Sequence, residues 1–243
     1  MRYLILFMVL VGIFVVGSRS CDGFTFGFGG VRGKGPVKSE TRSASDFHAV
    51  NVSMPGETEV RVADQYSVVV QAQENLLPLL KTEVENGVLR IYFEESVSQV
   101  EGLKIQISAP AFDGLELAGS GVLKVLTPLH SEHLKLAIGG SGTMELPQAD
   151  VNDLNCSIAG SGDMRIGGKA ATAGFEIAGS GDIQAKALLA NSGKASIAGS
   201  GSVTCNVSQT LKAEIAGSGD IYYTGSPSVD TDVSGSGKVK RVE

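Results

Sequence analysis

The tripeptide Gly-Ser-Gly occurs seven times, starting at Gly119, Gly140, Gly160, Gly179, Gly199, Gly217 and Gly235, at intervals of 18 to 21 residues. A period of this length marks a solenoid: one short unit cannot bury its own apolar face and must stack on its neighbours. Aligned on the first glycine, the copies form columns. Two residues before it stand Leu117, Ile138, Ile158, Ile177, Ile197, Ile215 and Val233, and four before stand Leu115, Leu136, Cys156, Phe175, Ala195, Ala213 and Thr231. Four residues after it stand Leu123, Met144, Met164, Ile183, Val203, Ile221 and Val239, and six after stand Val125, Leu146, Ile166, Ala185, Cys205, Tyr223 and Arg241. Polar residues fill most positions between, so each copy reads as two short alternating strands around a glycine bend.

Stacking these units turns each column into a ladder, with rungs about 4.8 Å apart. The expected fold is therefore all-β, a parallel β-helix with rungs of about 18–21 residues. Four columns per rung fill a narrow core, and no pore remains. A second corner is marked by proline in "LTP" (126–128), "LPQ" (146–148) and "GSP" (225–227).

The glycine pairs Gly119/Gly121, Gly140/Gly142, Gly160/Gly162, Gly179/Gly181, Gly199/Gly201, Gly217/Gly219 and Gly235/Gly237 are read as structural turn residues, since glycine reaches positive φ without steric cost. The small residue before each bend (Ala118, Ala159, Ala178, Ala198, Ala216) is expected where little room is left inside. A phosphate cradle is excluded on two grounds: strand follows the loop where a helix N-terminus is required, and Asp or Ser stands where a lysine would be needed. What remains for a partner is a surface ladder of Ser161, Asp163, Ser180, Asp182, Ser218 and Asp220. The hydroxyls can bond to one another, to the turn backbone or to ordered water. The carboxylates are expected to accept hydrogen bonds from their own turns, with weak divalent binding as the alternative.

The repeat fades toward the N-terminus. Val50, Val52, Val60 and Val62 alternate around a Pro-Gly turn, and "ENGV" (85–88) carries a tight-turn signature. Residues 46–112 are expected to be degenerate rungs or an atypical cap of a domain spanning 46–243. At the other end, Lys238, Lys240 and Arg241 crowd the last strand, which discourages end-to-end stacking.

Residues 1–20 read as a signal peptide: Arg2, then a fourteen-residue apolar run from Tyr3 to Val16, too short to span a bilayer comfortably. "VGSRSC" resembles a bacterial lipobox, which implies lipidation of Cys21 and its exposure as the mature N-terminus. Arg19 and Ser18 depart from that pattern, so cleavage near Ser18 stays open. Residues 21–45 read as a flexible Gly/Ser-rich tether. The net charge of −6 supplies no electrostatic footprint for nucleic acid.

"SASDFHAVNVSMPGETEVRVADQYSVVVQAQENLLPLLKTEVENGVLRI" followed by repeated "AGSGD" resembles the bacterial auto-transporter adhesin head domain family, also called the GIN domain or DUF2807. The likeness covers about 46–240. It implies a right-handed, pectin lyase-like β-helix, no recognisable catalytic residues and a role in cell adhesion. It carries no site residues over.

Other candidates are weaker. His130 and His133 ("HSEH") have a metal-like spacing on an expected loop, where solvated side chains are the plainer reading. Cys156 and Cys205 sit in apolar columns and read as buried thiols without a disulfide. The outward positions mix Lys, Glu, Gln, Thr and Asp without a convergent acid/base group. The expectation is a non-enzymatic cell-envelope protein with no catalytic residue, cofactor or metal. Its partners would be an envelope polysaccharide or protein, and the membrane through an N-terminal lipid. The alternatives are a carbohydrate-active enzyme of the polysaccharide lyase type and a pure envelope spacer.

Overall fold

The computed structural model describes residues 30–243. The expected signal peptide and the lipidation site at Cys21 lie outside the described residues. The chain runs through β1 (Val31–Arg32), β2 (Val37–Arg42), β3 (Ala49–Ser53), β4 (Glu57–Val62) and β5 (Ser67–Gln73). A single 3-10 turn at Leu77–Leu79 leads into β6 (Leu80–Glu85), β7 (Val88–Phe93), β8 (Val97–Ser98) and β9 (Lys104–Ala109). The repeat region follows as β10 (Gly114–Gly119), β11 (Val122–Val125), β12 (Leu129–Gly140), β13 (Thr143–Gly160), β14 (Asp163–Gly179), β15 (Asp182–Gly199) and β16 (Ser202–Gly217). It ends with β17 (Asp220–Thr224), β18 (Ser228–Gly235) and β19 (Lys238–Arg241).

Every pairing from β10 to β19 is parallel, and the register reproduces the sequence columns. Leu136 pairs with Cys156, Cys156 with Phe175, Phe175 with Ala195, and Ala195 with Ala213. The fold is thus a β-solenoid. Each rung has a third side that the two-strand reading missed. In the rung after Gly140, the registered stretches are Thr143–Leu146, Ala149–Val151 and Asp153–Gly160. Seven apolar side chains of that rung are buried, not four: Met144, Leu146, Ala149, Val151, Leu154, Cys156 and Ile158.

At the corner the two glycines do different jobs. The first has positive φ in every copy, from +116° at Gly119 to +137° at Gly199. Its carbonyl accepts the N–H of the serine one rung on, as in Ser161 to Gly140 and Ser180 to Gly160, both 2.8 Å.

The second glycine corrects the sequence reading. Gly121, Gly142, Gly162, Gly181, Gly201, Gly219 and Gly237 were expected to turn the chain through positive φ, and none of them has it. The bend is complete at the serine before them, and each links that bend to the next strand. The first six are also buried, so they belong to the packed interior and not to an exposed turn. Lack of space is what demands glycine there. A Cβ on Gly121 would lie 2.8 Å from the Met54 carbonyl oxygen, and one on Gly162 would lie 2.7 Å from that of Gly142. On Gly181, Gly201 and Gly219 it would overlap the carbonyl oxygen of Gly162, Gly181 and Gly201, the same position one rung earlier. Isoleucine methyl groups close the other side, from Ile158 at Gly181, Ile177 at Gly201 and Ile197 at Gly219. The alanines before the bend face outward: Ala159, Ala178, Ala198 and Ala216 are exposed. Interior crowding therefore does not explain their size. The parity of the strand places them outside, one residue from the inward isoleucines.

Residues 46–112 are both rungs and cap. β3 and β4, bent at Gly56 (φ +102°), stack parallel on β10 and β11. β7 and β9 form the next layer out, parallel to β3 and β4. Antiparallel strands then close that end: β6 on β7, β5 on β9, and β2 on β5. Asn86 (φ +51°) and Gly87 (φ +77°) make the tight turn between β6 and β7. Phe47 and Phe112 are fully buried beneath this end. Across the outer layers, Glu59 accepts from Lys104 at 2.6 Å and Gln106 at 3.0 Å. The Lys104 hydrogen bond, aided by Gln106, holds the Glu59 carboxyl below its usual range.

The flexible tether expected over 21–45 does not extend through this region. Val37–Arg42 forms six registered pairs with Val68–Gln73. Its side chains are almost all exposed, so the segment lacks the apolar alternation that reveals a strand. Backbone pairing and the Lys38–Glu74 and Arg42–Leu77 contacts hold it instead.

Candidate functional site

The surface ladder at the corner is present, and its hydroxyl members are free: Ser161, Ser180 and Ser218 are exposed. The aspartates beside them, Asp163, Asp182 and Asp220, are half-buried. Two are engaged. Asp182 Oδ1 accepts the backbone N–H of Ser202 at 3.0 Å and its hydroxyl at 2.5 Å. Asp220 Oδ1 accepts the N–H of Lys238 at 2.9 Å, and Oδ2 accepts the Tyr222 hydroxyl at 3.0 Å. These carboxylates tie one rung to the next; they do not cap their own turns, as the sequence reading expected. Each spends acceptor capacity on the fold, which leaves Asp182 and Asp220 poorly placed to bind an external ion.

His130 and His133 stand on β12, a strand and not a loop. They do not converge. His130 Nδ1 lies 3.3 Å from Asp150, and His133 Nδ1 lies 2.9 Å from Asp153, each aspartate being one rung further on. Among the described residues there is no group of three or more His, Cys, Asp or Glu placed to hold a metal ion. Cys156 and Cys205 are free and buried. Burial pushes the Cys205 thiol up to about 12, which makes it a poor nucleophile.

A groove with room for a ligand lies at the second corner. This lateral groove of about 560 Å³ crosses four rungs between Leu126 and Ala187. One-residue differences in corner length produce it. Leu146 and Ala149 register with Ile166 and Gly168, so Gly167 alone spans what Pro147 and Gln148 span one rung earlier. The following rung is longer again, since Arg165 and Gly167 register with Gln184 and Ala187. The short corner is recessed between two longer ones. Glycine is required there: a Cβ on Gly167 would meet the Pro147 carbonyl oxygen at 2.5 Å, and Gly168 has φ +115°.

The floor is apolar, from Leu126, Pro147, Ile166 and Ala187. Leu126 is 44% exposed, so its apolar side chain lies open to the groove. The outward column of the adjoining side forms a charged rim. Arg165 pairs with Glu145 at 3.3 Å, and Lys124 pairs with Glu57 at 3.1 Å. No aromatic ring lines the groove. Such a trough can take an extended apolar chain and fix its polar groups at the rim. The interval series 20, 19, 20 around Gly160 and Gly179 shows in sequence that one copy is short. It does not show which corner loses the residue.

The family model described as "Putative auto-transporter adhesin, head GIN domain" (DUF2807) matches residues 46–227. Solved structures with the same fold include a "putative adhesin" from Bacteroides fragilis NCTC 9343, 23% identical with a TM-score of 0.82, the match covering 87% of this chain and 100% of that one. Another is a "putative lipid binding protein" from Parabacteroides distasonis ATCC 8503, 27% identical with a TM-score of 0.76, covering 88% and 99%. A "putative adhesin" from the same organism is 23% identical, with a TM-score of 0.73 over 87% and 99%. No curated protein matches the chain.

Proposed function

Since this chain belongs to the auto-transporter adhesin head GIN domain family (DUF2807), we propose that it is a non-enzymatic, adhesin-like protein of the cell envelope that binds an envelope protein segment in its lateral groove. The observation that carries the reading is the recessed Gly167 corner, which opens an apolar trough with a charged rim on the side of the solenoid. An extended peptide laid along it would bury apolar side chains against Leu126 and Ile166. Its polar groups would meet Arg165 and Glu145. Polysaccharide is the less favoured ligand, because sugar faces are gripped by aromatic rings and the groove has none. Export with lipidation at Cys21 would hold the domain at a membrane, its groove accessible from the side.

The test compares wild type with Ala187→Trp, which fills the groove from an exposed position, and with a Ser161→Ala/Ser180→Ala corner variant. All three are screened against arrayed envelope proteins and glycans. Wild type and the corner variant are expected to bind the same protein target, and Ala187→Trp to bind it at least about tenfold more weakly. Equal binding by all three would sink the groove as the site. Release of ultraviolet-absorbing unsaturated sugar ends would instead establish the lyase alternative. Competition by a long-chain fatty acid would move the ligand class toward that named for the Parabacteroides distasonis lipid-binding relative.

A further inference from the structure

The two ends of the solenoid are finished differently. The N-terminal end is closed by the antiparallel strands β2, β5 and β6. The C-terminal end is open among the described residues: β18 pairs only with β16, and β19 only with β17. Their outer edges leave strand N–H and C=O groups without a ladder partner. The inward column is uncovered too. Val233 is 41% exposed, whereas Ile215 and Ile197 in the same column are 2% and 1%.

Charge on this edge is segregated by strand. Asp230 and Asp232 are exposed on β18, and Lys238, Lys240 and Arg241 are exposed on β19. Laying β19 on another β19 sets lysine against lysine, and β18 on β18 sets aspartate against aspartate. Both arrangements are unfavourable. Laying β18 on β19 sets acid beside base. A two-fold axis through the Gly235-Ser236-Gly237 corner makes that pairing twice, because it exchanges the two strands on either side of the bend. With Ser236 at its centre, the antiparallel register places Asp232 opposite Lys240 of the partner subunit. On the inner face, Val233 meets Val239 of the partner subunit.

We infer that two copies of this chain join end to end at their C-terminal rungs, β18 of each pairing antiparallel with β19 of the other. The capped N-terminal ends then point outward, so the assembly closes at two copies and does not grow into a fibre. The lysines that discourage stacking of like strands become the selectors of this register.

The test is sedimentation velocity of the full chain in a mild detergent, with the micelle mass subtracted, over a concentration series. A protein mass of two chains is expected at micromolar concentration, and it should weaken with added salt. Asp232→Lys and Lys240→Asp should each raise the dimer Kd by about tenfold, since each converts two attractive contacts into repulsive ones. Asp232→Lys/Lys240→Asp together should return the Kd to within about threefold of wild type, because both new charges find opposite partners across the axis. Circular dichroism confirms that each variant keeps its β spectrum, and the two single variants test the same contact independently. A monomer at every concentration, a dimer indifferent to all three variants, or assemblies larger than two chains would each overturn the inference.

Discussion

Gly160→Ala is expected to destabilise the protein by about 3 kcal/mol or more, and Gly139→Ala to stabilise it by about 0.4–1 kcal/mol. These glycines occupy closely related places in adjacent rungs. Gly160 has φ +132°, a region that side-chain-bearing residues avoid, and an added Cβ would overlap the Gly140 carbonyl oxygen. That oxygen accepts the Ser161 N–H, so it cannot withdraw without breaking a bond between rungs. Gly139 has no positive φ, and nothing lies within 4 Å of the place its Cβ would take. There alanine only removes freedom from the unfolded chain. Guanidinium midpoints, with the slope checked for constancy, should move in opposite directions. Two small shifts of like sign would show that the corner is not the constraint described here.

Phe175→Ala is expected to cost about 3–5 kcal/mol. Phe175 is 1% exposed, with Cys156 and Ala195 registered beneath and above it. The ring fills the space that these two small side chains leave. Neither can reach into the vacated volume, so the cavity stays open. A second change, Ala195→Leu, should recover part of the loss in Phe175→Ala but cost stability in the wild-type background, where the ring already occupies the space. Strictly additive losses in the double variant would contradict this sharing of volume between rungs.

The fold was legible where chemistry repeats along the chain. The column of Leu136, Cys156, Phe175, Ala195 and Ala213 comes straight from the Gly-Ser-Gly alignment, and the parallel register reproduces it. The alignment could not separate the two glycines of each copy. Gly179 and Gly181 recur equally, yet one is fixed by its φ and the other by the backbone of the rung beside it. The third side was not legible. Its column keeps a constant spacing of nine residues before the first glycine, but its members run from Ser131 to Val151 to Ala170 to Ala190, too small and too mixed to stand out as an apolar column. The order of the outer layers was hidden for a different reason. β3 and β4 lie directly under β10 and β11, while β7 and β9, later in sequence, lie further out. Parallel pairing across such separations leaves no local signal.

The candidate site was legible only in its discarded half. The corner serines and aspartates are conspicuous because they recur, and Asp182 and Asp220 recur because they fasten rungs. The groove arises from a missing residue at Gly167, a departure from the repeat that only the three-dimensional register locates. Binding at a solenoid of this kind is thus best sought where its repeat fails.

The most direct test of the stacked arrangement uses spin labels on pairs of the exposed corner serines, read by pulsed electron–electron distance measurement. Cysteine introduced at Ser120 and, in turn, at Ser161, Ser200 and Ser236 samples increasing numbers of rungs in the full chain carrying Cys21→Ser, with Cys156 and Cys205 buried and unreactive. The distance should grow by about 4.8 Å per copy, reaching about 29 Å between Ser120 and Ser236. A distance that fails to rise with copy number would contradict the solenoid and everything built on its corners.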